Sequence, residues 1–239
     1  MERAFTLNEL AAACDGLLLG TTGGGQTRIQ ELCTDSRLDL QDSLFVALVG
    51  ERLDGHDYLA QAVENGAAAL LVHNEILAKQ WQTKLPVLLV EDTESALRAI
   101  ARFYRDSLDL TVVAVTGSVG KTSTRDTIAQ ALRDQVVVHQ TKANLNNMFG
   151  VPYTLLDTPL AAEVAVIECG MDHLGEIRDA SLAAHPDITI ITNIGTSHIE
   201  NLGSRATILK AKAEILISQK SGGPLVINGE DPYLLQLAQ

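Results

Sequence analysis

From Thr111 the chain reads Thr-Val-Val-Ala-Val-Thr and continues Gly117-Ser118-Val119-Gly120-Lys121-Thr122. A β-branched apolar stretch that breaks at a glycine turn and resumes with lysine and threonine suits the handling of phosphate. Gly117 and Gly120 let backbone N–H groups close around phosphate oxygens, Lys121 adds a point charge between the outer phosphates, and Thr122 offers a hydroxyl to Mg²⁺. A helix starting at Lys121 would aim its positive end at the same anion. The full phosphate-loop pattern asks for glycine at position 115, where this chain has Val115. The shorter motif from Thr116 to Thr122 remains. With a strand before it and a helix after it, nucleotide phosphates are favoured over an ordinary glycine turn.

Other residues gain meaning from that motif. Glu168 closes the apolar run Val164-Ala165-Val166-Ile167, where a carboxylate could hold Mg²⁺ opposite Thr122. His173 and His198 each follow a strand that flanks the loop and are candidates for metal or substrate contact. Asn144 and Asn147 lie in an amide-rich stretch suited to phosphate or substrate oxygens, with helix capping as the competing use. Lys210 and Lys212 share a helical stretch with Glu214 and read by themselves as solvated charges. Asp35, Ser36 and Arg37, and the turn Asp54-Gly55-His56, gather donors, acceptors and one fork-shaped cation. Taken alone, each is more simply a polar turn.

The elements that must position these residues alternate along the chain. Thr6 and Glu9 have capping-box spacing ahead of a helix reaching Cys14. A strand at 44–49, a helix from Asp57, a strand at 67–72, a short helix with Trp81 and a strand at 87–90 follow. A helix over 92–108 leads into the phosphate-loop strand. The second half alternates strands at 111–115, 136–139, 163–168, 187–192 and 224–228 with helices at about 121–133, 147–157, 174–184 and 204–218. Continuous apolar strands predict a mostly parallel sheet covered on both faces, with ligands at the strands' carboxyl ends. The expected fold is α/β, with a small α/β domain at 1–84 and a phosphate-loop domain at 85–239.

The 239 residues suffice for two cores, and 46% hydrophobic with 20% charged residues marks a globular chain. With 18 basic against 30 acidic residues the formal charge is −12, which argues against nucleic acid and anionic lipid as partners. Cys14, Cys33 and Cys169 are widely spaced and suggest neither a disulfide framework nor a zinc site. No secretion signal and no membrane-spanning run is evident, so a cytoplasmic monomer without membrane insertion is expected.

Taken together the motifs resemble the Mur ligase superfamily of peptidoglycan synthesis. The carriers are Thr34 to Arg37, Leu44 to Leu48, Asp54 to His56, Thr116 to Thr122, Asn144 to Asn147 with Gly150-Val151-Pro152, Glu168 to Glu176, His198 to Ser204, and Lys210 to Glu214. The resemblance covers nearly the whole chain and is strongest to the branch that adds D-Ala-D-Ala. It implies an ATP-dependent amide ligase acting on UDP-N-acetylmuramoyl-tripeptide through an acyl phosphate. By position, Thr116 to Thr122 would hold ATP, with Lys121 on its β- and γ-phosphates and Asn144 and Asn147 beside them. Thr122 and Glu168 would take one Mg²⁺, and His198 would help with a second. Lys212 matches the lysine that the family carbamoylates, so its amine is expected to have a lowered pKa. Asp35, Ser36, Arg37, Asp54, Gly55 and His56 would lie in the UDP-sugar domain, and His173 would contact substrate. Ala143 stands where the family usually has glycine, and Asp172 where it often has asparagine. The family carries a third domain for the incoming amine, so the chain reads as a fragment. The competing readings are another Mur-type ligase, such as the diamino-acid-adding one, and a nucleotide-binding module without turnover.

Overall fold

The computed structural model describes residues 1–20, 23–50 and 52–238. The chain divides into two compact units, Met1–Phe103 and Tyr104–Gln239.

In the first unit, β1 (Phe5–Thr6) runs into α1 (Leu7–Ala13), which opens on the expected capping box between Thr6 and Glu9. Then come β2 (Leu17–Leu19), β3 (Arg28–Ile29), β4 (Glu31–Cys33) and β5 (Ser43–Val46). These lead to α2 (Leu59–Glu64), β6 (Ala69–Val72), α3 (Glu75–Trp81), β7 (Val87–Leu89) and α4 (Thr93–Asp106). A five-stranded sheet has the order β2-β7-β6-β5-β4, parallel except where β2 meets β7. All residues of β5 and β6 are buried, which explains their unbroken apolar runs. Phe45, Leu70, Val72, Ala62 and Trp81 meet in one core beneath α2 and α3. The expected boundary between residues 84 and 85 is too early. β7 lies beyond it and hydrogen-bonds to both β6 and β2, so the sheet closes only after residue 89.

The second unit contains β8 (Thr111–Thr116), α5 (Lys121–Leu132), β9 (Val138–Gln140), α6 (Gly150–Leu156) and β10 (Val164–Glu168). It continues through α7 (Glu176–Ala184), β11 (Ile188–Ile191), α8 (Ile199–Leu202), α9 (Arg205–Ala213) and β12 (Leu225–Ile227). The sheet order is β12-β11-β8-β10-β9, with every pair parallel. Register sets Glu168 beside Val115 and Ile191 beside Thr116, so β8, β10 and β11 end at one level. The helix expected over 204–218 stops at Ala213 and tightens into a 3₁₀ turn, Glu214–Leu216. There the Glu214 carboxylate leaves its own helix to accept from the backbone N–H of Gly175 at 2.9 Å and of Arg178 at 3.2 Å, capping α7. Cys14, Cys33 and Cys169 are all free.

Candidate nucleotide and metal site

The site begins where β8 turns into α5. Gly117 has φ +148°, and a Cβ there would sit 1.9 Å from the Thr192 hydroxyl, so the turn needs glycine for both angle and space. Gly120, at φ +83°, begins α5. The loop is tied to the segment after β11 on several sides. Val119 N donates to Asn193 Oδ1 at 3.1 Å, and its carbonyl accepts from Thr192 Oγ1 at 2.6 Å and Asn193 Nδ2 at 3.1 Å. Ser118 Oγ accepts from Gly195 N at 2.8 Å. Thr192 and Asn193 were not among the sequence candidates, although their place at a strand end next to β8 was the available signal. The Thr116 hydroxyl is buried without a hydrogen-bond partner among the described residues.

Lys121 Nζ donates to Gly117 O at 2.9 Å, folded over the loop it would serve. Burial lowers its pKa, partly offset by Glu168. Thr122 Oγ1 reaches Glu168 Oε2 at 3.0 Å, and Glu168 is only 2% exposed. Lys212, on α9, is also 2% exposed. Burial, with the nearby Lys121 charge, pushes its ammonium down to about 7. The reading of Lys212 as a solvated surface charge is therefore corrected: α9 turns it inward.

The remaining candidates divide. Asn147 Oδ1 accepts from Gly150 N at 2.8 Å and so caps α6, while Asn144 is exposed. Asn146, not singled out from the sequence, is the amide that reaches the site, donating to Glu168 Oε1 at 2.8 Å. Both the turn at Ala143, with φ +49°, and the cap at Asn147 shape that loop. His198 sits in the left-handed region at φ +61°, its Nδ1 2.9 Å from Asp172 Oδ1. His173 faces Glu176 at 3.5 Å and is mostly exposed.

In the first unit, Asp35, Ser36, Arg37 and Gly55 line a cavity of about 390 Å³ together with Thr34 and Tyr58. Arg37 grips Asp35 through Nε and Nη2 at 2.8 and 2.7 Å, and that hydrogen bonding pushes the Asp35 carboxyl down to about 2. His56 is buried instead, with Nδ1 2.7 Å from Asp54 Oδ1 and Nε2 accepting from His73 N at 3.3 Å. Both ring nitrogens are thus engaged inside the protein.

Two hard oxygens, from Thr122 and Glu168, converge beside a phosphate loop, a donor set that fits Mg²⁺ sharing its shell with phosphates and water. Among the described residues no group of three or more His, Cys, Asp or Glu side chains could hold a metal by itself. The model of the Mur ligase middle domain matches residues 115–239, just over half the chain. The chain belongs to the Mur ligase family. A second model, of the Mur ligase family catalytic domain, matches residues 28–105. Among Mur ligases with curated names, the UDP-N-acetylmuramoyl-tripeptide–D-alanyl-D-alanine ligase of Bacillus subtilis is 44% identical over 216 residues, covering 87% of this chain and 45% of that protein. MurF from Acinetobacter baumannii superposes with a TM-score of 0.89 at 33% identity, over 98% of this chain and 51% of that one. The MurF ligase from Thermotoga maritima, solved in complex with ADP, gives 0.79 at 30% identity over 86% and 47%. The chain thus spans about half the length of the Mur ligases it matches.

Proposed function

We propose that the chain is the ATP-handling part of a ligase that joins D-Ala-D-Ala to UDP-N-acetylmuramoyl-tripeptide. The observation that carries the reaction type is the meeting of Thr122 and Glu168 at 3.0 Å beside Lys121, with buried Lys212 close by. The likeness to the Bacillus subtilis enzyme supports the choice of substrates. In this reading the terminal carboxylate of the tripeptide attacks the γ-phosphorus of ATP, releasing ADP and leaving an acyl phosphate. The amine of the dipeptide then attacks the acyl carbon, and phosphate departs as the amide forms. Lys121 would exchange Gly117 O for the β- and γ-phosphate oxygens. Mg²⁺ held by Thr122 and Glu168 would offset charge on the phosphates. Lys212, with its amine pushed down to about 7, presents about half of its population near neutral pH as the neutral nucleophile that CO₂ requires. Carbamoylation of the neutral amine forms an N–C bond, releases one proton and leaves an anion; counted from the ammonium form, two protons leave. His198, oriented by Asp172, would serve a second metal. The cavity bordered by Asp35, Ser36 and Arg37 would take the UDP-sugar, with the first unit as its binding domain.

Calorimetric titration tests the proposal. The chain is expected to bind UDP-N-acetylmuramoyl-tripeptide saturably and in preference to the dipeptide form, and to bind ADP with Mg²⁺. Binding of ADP alone would remove the substrate assignment and leave a nucleotide-binding module.

A further inference from the structure

Arg125 lies one turn beyond Lys121 on α5 and is 5% exposed. Its Nη1 donates to Glu168 Oε2 at 3.2 Å and to Ala143 O at 3.1 Å, while Nε and Nη2 hold Asp126 Oδ1 at 2.9 and 2.8 Å. The guanidinium is therefore fixed from three sides. Glu168 Oε2 is the same oxygen that Thr122 engages, and Asn146 occupies Oε1. The buried carboxylate thus has its charge balanced before any metal arrives, which a buried ion needs. A divalent cation approaching that oxygen meets the Arg125 charge at close range, with Lys121 beside it. Such repulsion is strong away from bulk water. Nucleotide phosphates reverse the balance.

We propose that Arg125 is a built-in counter-cation of Glu168 that keeps divalent ions out until nucleotide arrives, so that metal and nucleotide enter together. The inference rests on the assignment of Mg²⁺ to Thr122 and Glu168. Mn²⁺ titrations of the 239-residue chain, read by electron paramagnetic resonance of the free ion, test it. Without nucleotide, the parent is expected to bind Mn²⁺ no better than Glu168→Gln. Arg125→Met should bind at least about tenfold more tightly, and adding Glu168→Gln should remove the gain. Arg125→Lys, which keeps the charge, should behave as the parent. A nucleotide-free Mn²⁺ site in the parent that Glu168→Gln abolishes would overturn the proposal, and this arm needs no Arg125 variant to fold. Equal affinities for the parent and a folded Arg125→Met would overturn it too. If ADP-dependent Mn²⁺ binding is untouched by Glu168→Gln, the failure lies in the metal assignment instead.

Discussion

A single buried amine gives the second unit a pH signature. Lys212 falls from the usual 10.5 to about 7 on folding, so between those values the unfolded chain binds more protons than the folded one. Stability from this group rises with pH through that window, by about 1.4 kcal/mol per unit, and the full penalty applies below pH 7. Lys212→Met is expected to be more stable than the parent at pH 6.5, with the difference shrinking towards pH 10. Urea titrations in CO₂-free buffer at several pH values check this, and a constant difference would contradict the burial argument. Lys121, Thr122 and Glu168 were legible because glycine turns and strand ends announce themselves in sequence. Lys212 was not legible from its own neighbourhood, since a lysine on a helix shows no sign of which way the helix faces. Arg125 was hidden for the same reason. Asn146 was hidden between other asparagines, and only the path of the loop turns it towards Glu168.

At the scale of elements, the phosphate loop depends on its two glycines for different reasons. Gly117→Ala adds a methyl group into the Thr192 side chain at a backbone angle that disfavours it, and is expected to cost at least about 3 kcal/mol. Gly120→Ala has open space around it and meets only the conformational cost, about 1–2 kcal/mol. Denaturant midpoints of the two variants measure the contrast, and equal losses would mean that Thr192 yields. The central strands of the two five-stranded sheets were readable because buried parallel strands are unbroken apolar runs, whereas the three-residue edge strands β2 and β4 were not. β1 and β3 were not, because two-residue strands are too short for any period. α6 begins later than its apolar pattern suggested because Asn147 caps it, while α9 ends early where Glu214 crosses to α7.

On the scale of the whole chain, the formal charge is −12, while the site proposed above would take an anionic nucleotide. The cations beside the phosphate loop, Lys121 and Arg125, are half-buried and buried, so their fields act at short range. Lowering the ionic strength from about 0.15 to 0.01 M extends the screening length from about 8 to 30 Å and exposes an incoming nucleotide to the acidic surface. The association rate of metal-free ADP is expected to fall on that change. Stopped-flow measurements with a fluorescent analogue test this, and a rising rate would show that the local cations dominate at long range. The division into two compact units was legible from alternating strands and helices, but its position was not, because β7 and the strand opening the second half look alike in sequence. One further consequence comes from the thiols. Burial pushes Cys14 up to about 11 and Cys169 up to about 12, and raises Cys33 as well, so little thiolate exists near neutral pH. The native cysteines are therefore quiet towards maleimides. A cysteine placed at exposed Leu145, beside the asparagine that grips Glu168, could carry a dye and report on the site without first stripping the chain of its own sulfur.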